Sequence, residues 1–168
     1  MQIELLTTGT ELLLGTTQNT HGAWIGQRLL RVGLRVSRQI TVPDGEAVGR
    51  AMRIGLEDGE ALIVTGGLGP TSDDLTREAL AEVLAKHPNV MVFTDDIYEH
   101  IVFDGLTFKN IVQIDPSLKD RTLLVNGVSK AYAMTGWRIG YGAGNETLIR
   151  AMTTIQSQST SNASSISQ

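Results

Sequence analysis

The sequence predicts an α/β protein, with a mainly parallel sheet and helices on both faces in a three-layer sandwich. Three observations predict it. Short apolar runs of strand length alternate with segments whose apolar residues recur at helical spacing. Glycines and Asx residues fall between the two kinds of segment, where turns and caps need them. The run Ala61-Leu-Ile-Val-Thr65 is continuously apolar, as strands covered on both faces are.

Taken in order, residues 3–6 read as a first strand. Asn19 and Thr20 cap a helix whose Ile25, Leu29 and Val32 share a face, and Gly33 ends it. Trp24 on that helix reads as core. Residues 36–42 read as a second strand. Asp44 is placed to cap the next helix, where Val48, Ala51, Met52, Gly55 and Leu56 follow the i, i+3, i+4 pattern and Gly59 closes it. After the strand at 61–65, residues 66–70 form a turn, and a helix runs from Asp73 to Lys86 on an apolar stripe of Leu75, Ala79, Leu80, Val83 and Leu84. Pro88 stops it. Residues 90–93 and 122–125 read as further buried strands. The unbroken β-α-β order predicts that 3–6, 36–42, 61–65 and 90–93 share one sheet. The tail from 156 to 168 is polar, without a period, and reads alone as linker-like.

Composition narrows the function. A net charge of −4 over 168 residues gives no reason to expect nucleic acid or an anionic membrane as partner. The chain has no cysteine, which removes disulfides, thiolate metal sites and a cysteine nucleophile and fits a cytoplasmic location. No apolar run reaches the roughly 20 residues of a membrane span, and the first residues are not a secretion signal. His21, His87 and His100 show no metal-ligand spacing. Small-molecule ligands are the expected partners.

Two motifs carry chemistry. In the first, Gly66-Gly-Leu-Gly-Pro-Thr-Ser-Asp-Asp74 follows a strand and opens a helix. Glycines there let backbone N–H groups approach an anion, and Asp73 and Asp74 could hold a divalent metal such as Mg beside it. Asp44 lies at another strand-to-helix turn, and in a parallel sheet such turns gather at one edge. Yet aspartate in a first helical turn is also favoured by the helix dipole alone. Together with Thr8-Gly-Thr-Glu-Leu-Leu-Leu-Gly15, Asn19-Thr20 and Val42-Pro-Asp44, this motif makes residues 1 to about 84 resemble the first half of the molybdopterin-binding, MoaB/Mog-like domain in its CinA-type version. The resemblance implies a phosphate or nucleotide site at Gly66, Gly67, Gly69 and Thr71, with metal at Asp44 and Asp74. Relatives there handle a pterin phosphate or cleave ADP-ribose with metal. The Asn-Pro-x-Gly-type loop found later in that domain has no match here.

The second motif is Asn126-Gly-Val-Ser-Lys130-Ala-Tyr-Ala-Met-Thr-Gly-Trp-Arg138-Ile-Gly140. With Leu80-Ala-Glu-Val-Leu-Ala-Lys-His-Pro-Asn89, Thr94-Asp-Asp-Ile-Tyr-Glu-His-Ile-Val-Phe-Asp-Gly105 and Ile155-Gln-Ser-Gln-Ser-Thr-Ser-Asn162, it makes residues from about 79 onward resemble the central slice of a class I, aspartate-type aminotransferase. The resemblance implies pyridoxal 5'-phosphate as cofactor and Lys130 as the catalytic, Schiff-base lysine. It places Arg138 on the cofactor phosphate, a task that suits a guanidinium fork. It places Asp95 beside the pyridine nitrogen, where a carboxylate keeps the nitrogen protonated, and Tyr98 on the ring oxygen. In that family the site forms between two subunits, which implies a homodimer.

The run Leu75-Thr-Arg-Glu-Ala-Leu-Ala-Glu-Val-Leu84 fits both families, so the sequence reads as a hybrid joined inside one helix, between about 80 and 86. The expectation is a single hybrid α/β unit, a segment of the first family over 1–84 and of the second over 85–168. Its expected activity is small. The aminotransferase phosphate loop, the aromatic residue stacked on the cofactor and the second substrate-gripping arginine find no match in it. The alternatives are a transaminase-like chain holding pyridoxal phosphate at Lys130, and a phosphate or molybdopterin binder using the Gly66–Asp74 turn.

Overall fold

A computed structural model describes residues 1–69 and 74–168. It is a mixed α/β protein that divides into two compact units, Met1–His87 and Pro88–Gln168. Among the described residues no helix is long and apolar enough to cross a membrane.

The first unit is built on β1 (Ile3–Thr8), β2 (Val36–Val42) and β3 (Ala61–Thr65), all parallel, in the order β2-β1-β3. Helix α1 (Thr10–Leu13) is a single turn after β1. Helix α2 (Thr20–Arg31) links β1 to β2, α3 (Ala47–Asp58) links β2 to β3, and α4 (Thr76–Leu84) follows β3. The chain steps outward from β1 to β2 and then back across to β3. Right-handed crossovers therefore put α2 and α3 on opposite faces. The register places Leu6, Ile40 and Val64 in one row, and all three pack against Val48, Met52 and Val83 from α3 and α4. Period-2 alternation sends Ile3, Leu5 and Thr7 to the other face, under α2.

Local chemistry explains the ends of these elements. The Asn19 side chain accepts from the Gly22 N–H at 3.3 Å, capping α2. Its amide also donates to the Thr7 hydroxyl at 3.0 Å, which ties the cap to β1. At the opposite end of the sheet, Glu4 is buried, and Arg38 answers it at 2.7 Å while also reaching Asp58 at 3.1 Å. A buried carboxylate needs such a partner.

The second unit has β4 (Val92–Asp95) parallel to β5 (Thr122–Gly127), and β6 (Gly140–Ala143) antiparallel to β5. Helix α5 (Ile111–Ile114) is closed by a capping box between Asn110 and Gln113. A 3-10 turn at Pro116–Arg121 leads into β5, and another at Thr135–Trp137 precedes β6. Helix α6 (Glu146–Ser157) starts from Asn145, whose side chain accepts from the Thr147 N–H at 2.9 Å. Its buried apolar side chains, among the described residues, are Val92, Ile111 and Leu118, far fewer than in the first unit.

Several expectations are corrected. The strands do not form one sheet: β1, β2 and β3 make one, and β4 pairs with β5 in another. An apolar strand after a helix shows that it seeks a neighbour, not which neighbour it takes, and β5 supplies that neighbour. The strand expected at 90–93 lies at 92–95, and its Phe93 is exposed, because only alternate residues face inward. β3 is half-buried along its length, since as an edge strand it has one neighbour. Trp24 is not core but 59% exposed, with the Arg28 guanidinium 5.0 Å above its ring. Val32 is the exposed C-cap of α2 and shares no buried face with Ile25 and Leu29. Asp44 does not cap α3, whose N-cap is Glu46 without a side-chain bond. Asp73, expected to open α4, lies outside the described residues, and the helix itself begins at Thr76. Helix α6 runs only two residues into the expected tail, to Ser157, and 158–168 form turns and bends without a regular element.

Candidate functional site

Two sets of residues gather at carboxyl edges of parallel strands, one in each unit. In the first unit, Thr8 ends β1, Asp44 follows β2, and Gly66 and Gly67 follow β3. The Thr8 hydroxyl donates to Asp44 Oδ1 at 2.7 Å, and the Thr10 N–H donates to Oδ2 at 3.0 Å. The Thr10 hydroxyl adds a longer contact to Oδ2 at 3.4 Å. Asp44 thus ties the loop after β1 to the loop after β2, a role that its acidic character alone did not signal.

Gly66 and Gly67 have positive φ, 98° and 59°. A Cβ on Gly66 would fall on the Thr8 carbonyl oxygen, and one on Gly67 would fall on the Thr76 hydroxyl. That hydroxyl donates to the Gly66 carbonyl at 3.2 Å. Both glycines are therefore required by the approach of β1 and α4 to this turn, whatever else they bind. A Cβ on Gly69 would meet the Asp74 carboxylate. Thr71 and Asp73, also expected here, lie outside the described residues. Among the described residues no group of three or more acidic or histidine side chains could hold a metal ion.

Burial pushes the Asp44 carboxyl up, but hydrogen bonds from Thr8 and Thr10 outweigh it and hold the group below its ordinary value. A folded-state value below the unfolded one means that the stabilisation is present at neutral pH and fades as pH falls through the depressed value. Asp44→Asn is expected to lower the urea midpoint at neutral pH. The difference from the parent should close in acid, below the ordinary carboxylate range. A difference that is constant with pH would reject the ionised pairing.

In the second unit, Asp95 ends β4 opposite Val125 of β5, and Lys130 lies just beyond the end of β5. Arg138 precedes β6, whose Gly140 pairs with Gly127, so it returns to the same edge. Lys130, Asp95, Tyr98 and Arg138 thus belong to one edge. The Lys130 ammonium lies 5.5 Å from the centroid of the Tyr98 ring. Asp95 Oδ1 accepts from the Ile97 N–H at 3.2 Å. Arg138 has a left-handed backbone, φ 55°, and its guanidinium donates to the Thr135 carbonyl at 3.0 Å. All four residues are exposed, Tyr98 by 58%.

A cavity of about 440 Å³ lies beside them, lined by His100, Asn126, Gly127, Val128, Tyr132, Met134 and Tyr141, and none of the four lines it. Asn126, which carried no role in the sequence, is 7% exposed and donates to Glu99 Oε1 at 2.6 Å. Its position inside the lysine motif was the available signal.

Comparison with known proteins gives two kinds of match. A family model described as "Probable molybdopterin binding domain" matches residues 4–137, well past the boundary near 84 that the motifs suggest. The "Probable aspartate/prephenate aminotransferase" of Rickettsia bellii is 61% identical over 110 residues, covering 64% of this chain and 28% of that protein. The "Aspartate/prephenate aminotransferase" of Cereibacter sphaeroides is 62% identical over 102 residues, covering 59% of this chain and 26% of that protein. The chain thus spans about a quarter of the length of these relatives. Among solved structures, the aspartate aminotransferase from Rhizobium meliloti superposes with a TM-score of 0.68 at 33% identity, over 99% of this chain and 41% of that one. The likeness in fold therefore extends beyond the stretch that carries the lysine motif. The chain joins sequence of the molybdopterin-binding type to sequence of the aminotransferase type.

Proposed function

Because the chain belongs to the family described as "Probable molybdopterin binding domain" and also carries an aminotransferase-like segment, we propose that it is a hybrid whose second unit holds pyridoxal phosphate weakly at Lys130, with little or no transamination. The observation that carries this reading is the grouping of Lys130, Tyr98, Asp95 and Arg138 at one strand edge.

The donor set fits the cofactor. Lys130 offers an amine to the aldehyde, Arg138 a planar cation to the phosphate, Asp95 a carboxylate to the ring nitrogen and Tyr98 a phenol to the ring oxygen. When bound, pyridoxal phosphate supplies an electron-accepting ring. The chain must supply the rest: orientation of the amine, exclusion of water and a fixed grip on substrate. Those needs favour weak function here. The four side chains are solvent-exposed, so water screens and competes for each contact. Few buried side chains support their loops, and a site without packed support loses the alignment that catalysis uses. Titration with pyridoxal phosphate, followed by absorbance, is expected to saturate weakly, and Lys130→Ala should weaken it further. Tight binding that survives Lys130→Ala would refute the assignment.

A second reading concerns the Gly66–Gly67 turn, favoured by the family match and by its place beside Asp44 at the strand edge. It predicts weak binding of phosphate-bearing ligands. Magnesium-dependent release of AMP from ADP-ribose, lost in Asp74→Ala, would raise this reading to a catalytic one.

A further inference from the structure

We propose that Asn126 and Glu99 form a positioning lock that sets Lys130 against Tyr98, an inference that rests on the pyridoxal-phosphate reading of this edge. Tyr98 and Lys130 stand on different loops, one after β4 and one after β5. Their 5.5 Å approach needs the two loops to be held together. At the strand ends, the Asp96 N–H donates to the Val125 carbonyl at 3.0 Å. One step further out, the Asn126 amide nitrogen donates to Glu99 Oε1 at 2.6 Å. The Asn126 side-chain oxygen accepts from the Gly127 N–H at 2.7 Å. Glu99 is the residue after Tyr98, and Gly127 is the last residue of β5, from which the loop that carries Lys130 leaves. The side chain of Asn126 therefore ties the end of β5 to the loop after β4.

The residue type is what this bridge demands. An amide presents a donor and an acceptor at the same reach, so it can serve Glu99 and Gly127 together. Aspartate could still accept from Gly127 but would face Glu99 with a second negative charge. A hydrogen bond to a carboxylate is among the stronger neutral-to-charged contacts, and Asn126 is buried enough to be costly if unpaired. His100 Nε2 lies 3.3 Å from the same Glu99 oxygen and adds a second contact to that atom. Neither Asn126 nor Glu99 touches a reacting atom; both act through the loops they join.

The test uses the full chain with Asn126→Asp, Glu99→Gln and the double variant. One readout is backbone hydrogen exchange in 96–101 and 126–133 without cofactor. The other is the share of borohydride-fixed pyridoxal phosphate found on Lys130 rather than on Lys86, Lys109 or Lys119. Asn126→Asp is expected to speed exchange in both segments about tenfold, the size of one charge-assisted hydrogen bond lost, and to spread the label towards the other lysines. Glu99→Gln alone should stay near the parent, because its carbonyl can still accept. The double variant should recover both readouts, since Gln at 99 can donate to Asp at 126. If Asn126→Asp folds poorly, Glu99→Leu, at the more exposed partner, carries the same expectation. Unchanged exchange in Asn126→Asp, or in Glu99→Leu where it takes that place, or no recovery in the double, overturns the lock. An even label over all four lysines in the parent overturns the pyridoxal-phosphate reading instead, and exchange alone then decides whether the loops are locked.

Discussion

Gly66→Ala is expected to destabilise the first unit by about 3 kcal/mol or more, from a left-handed backbone forced on an L-residue and a side chain driven into a neighbour. Its φ of 98° lies where alanine is strained, and its Cβ would occupy the position of the Thr8 carbonyl oxygen. That oxygen belongs to backbone at the end of the central strand β1, so it cannot swing aside as a side-chain tip could. Relief would require moving the β3 turn away from β1, which would also disturb the Thr8–Asp44 bond. Urea denaturation of a Trp137→Phe background, where Trp24 is the remaining tryptophan, would report on this unit. A midpoint unchanged by Gly66→Ala would show that the turn adjusts freely.

Met52→Ala should cost about 3 kcal/mol, in the usual range for truncating a fully buried methionine. Met52 is 0% exposed and packs in one cluster with Leu6, Val48, Ala51 and Val83. It sits where α3, α4 and the central strand meet, so no single neighbour can move in to fill the space. The same urea experiment reads the loss as a lower midpoint at unchanged slope. A loss below about 1 kcal/mol would mean that the cluster collapses around the smaller side chain.

The elements most legible in the sequence were those whose signal is local. Residues 36–42 and 61–65 alternate or run apolar over strand length, and both strands form within those bounds. Asn19 announced α2, and it caps it. What escaped depends on partners distant in sequence. Asp44 looked like a cap because a helix follows, yet it is drawn to Thr8 and Thr10, more than thirty residues away. β6 contains two glycines in four residues and has no strand signature of its own; it exists because β5 offers an antiparallel edge. α6 was not among the elements read from the sequence, although Asn145 caps it.

The second site followed the same division. The resemblance to an aminotransferase implied a common place for Asp95, Tyr98, Lys130 and Arg138, and their positions at the ends of β4, β5 and β6 lie along one edge. Their exposure was not legible, because burial depends on packing that motif spacing does not encode. Nor was the Glu99–Asn126 bond, since it joins two loops that only the β4–β5 pairing makes neighbours.

Whether the Lys130 edge is a working site is decided by borohydride reduction with pyridoxal phosphate, followed by peptide mapping and an assay with aspartate and 2-oxoglutarate. The expected result is substoichiometric label, richest on Lys130, and no transamination above that of free pyridoxal phosphate. Stoichiometric label on Lys130 alone, with turnover that disappears in Lys130→Ala, would contradict it by showing that this chain assembles a working active site.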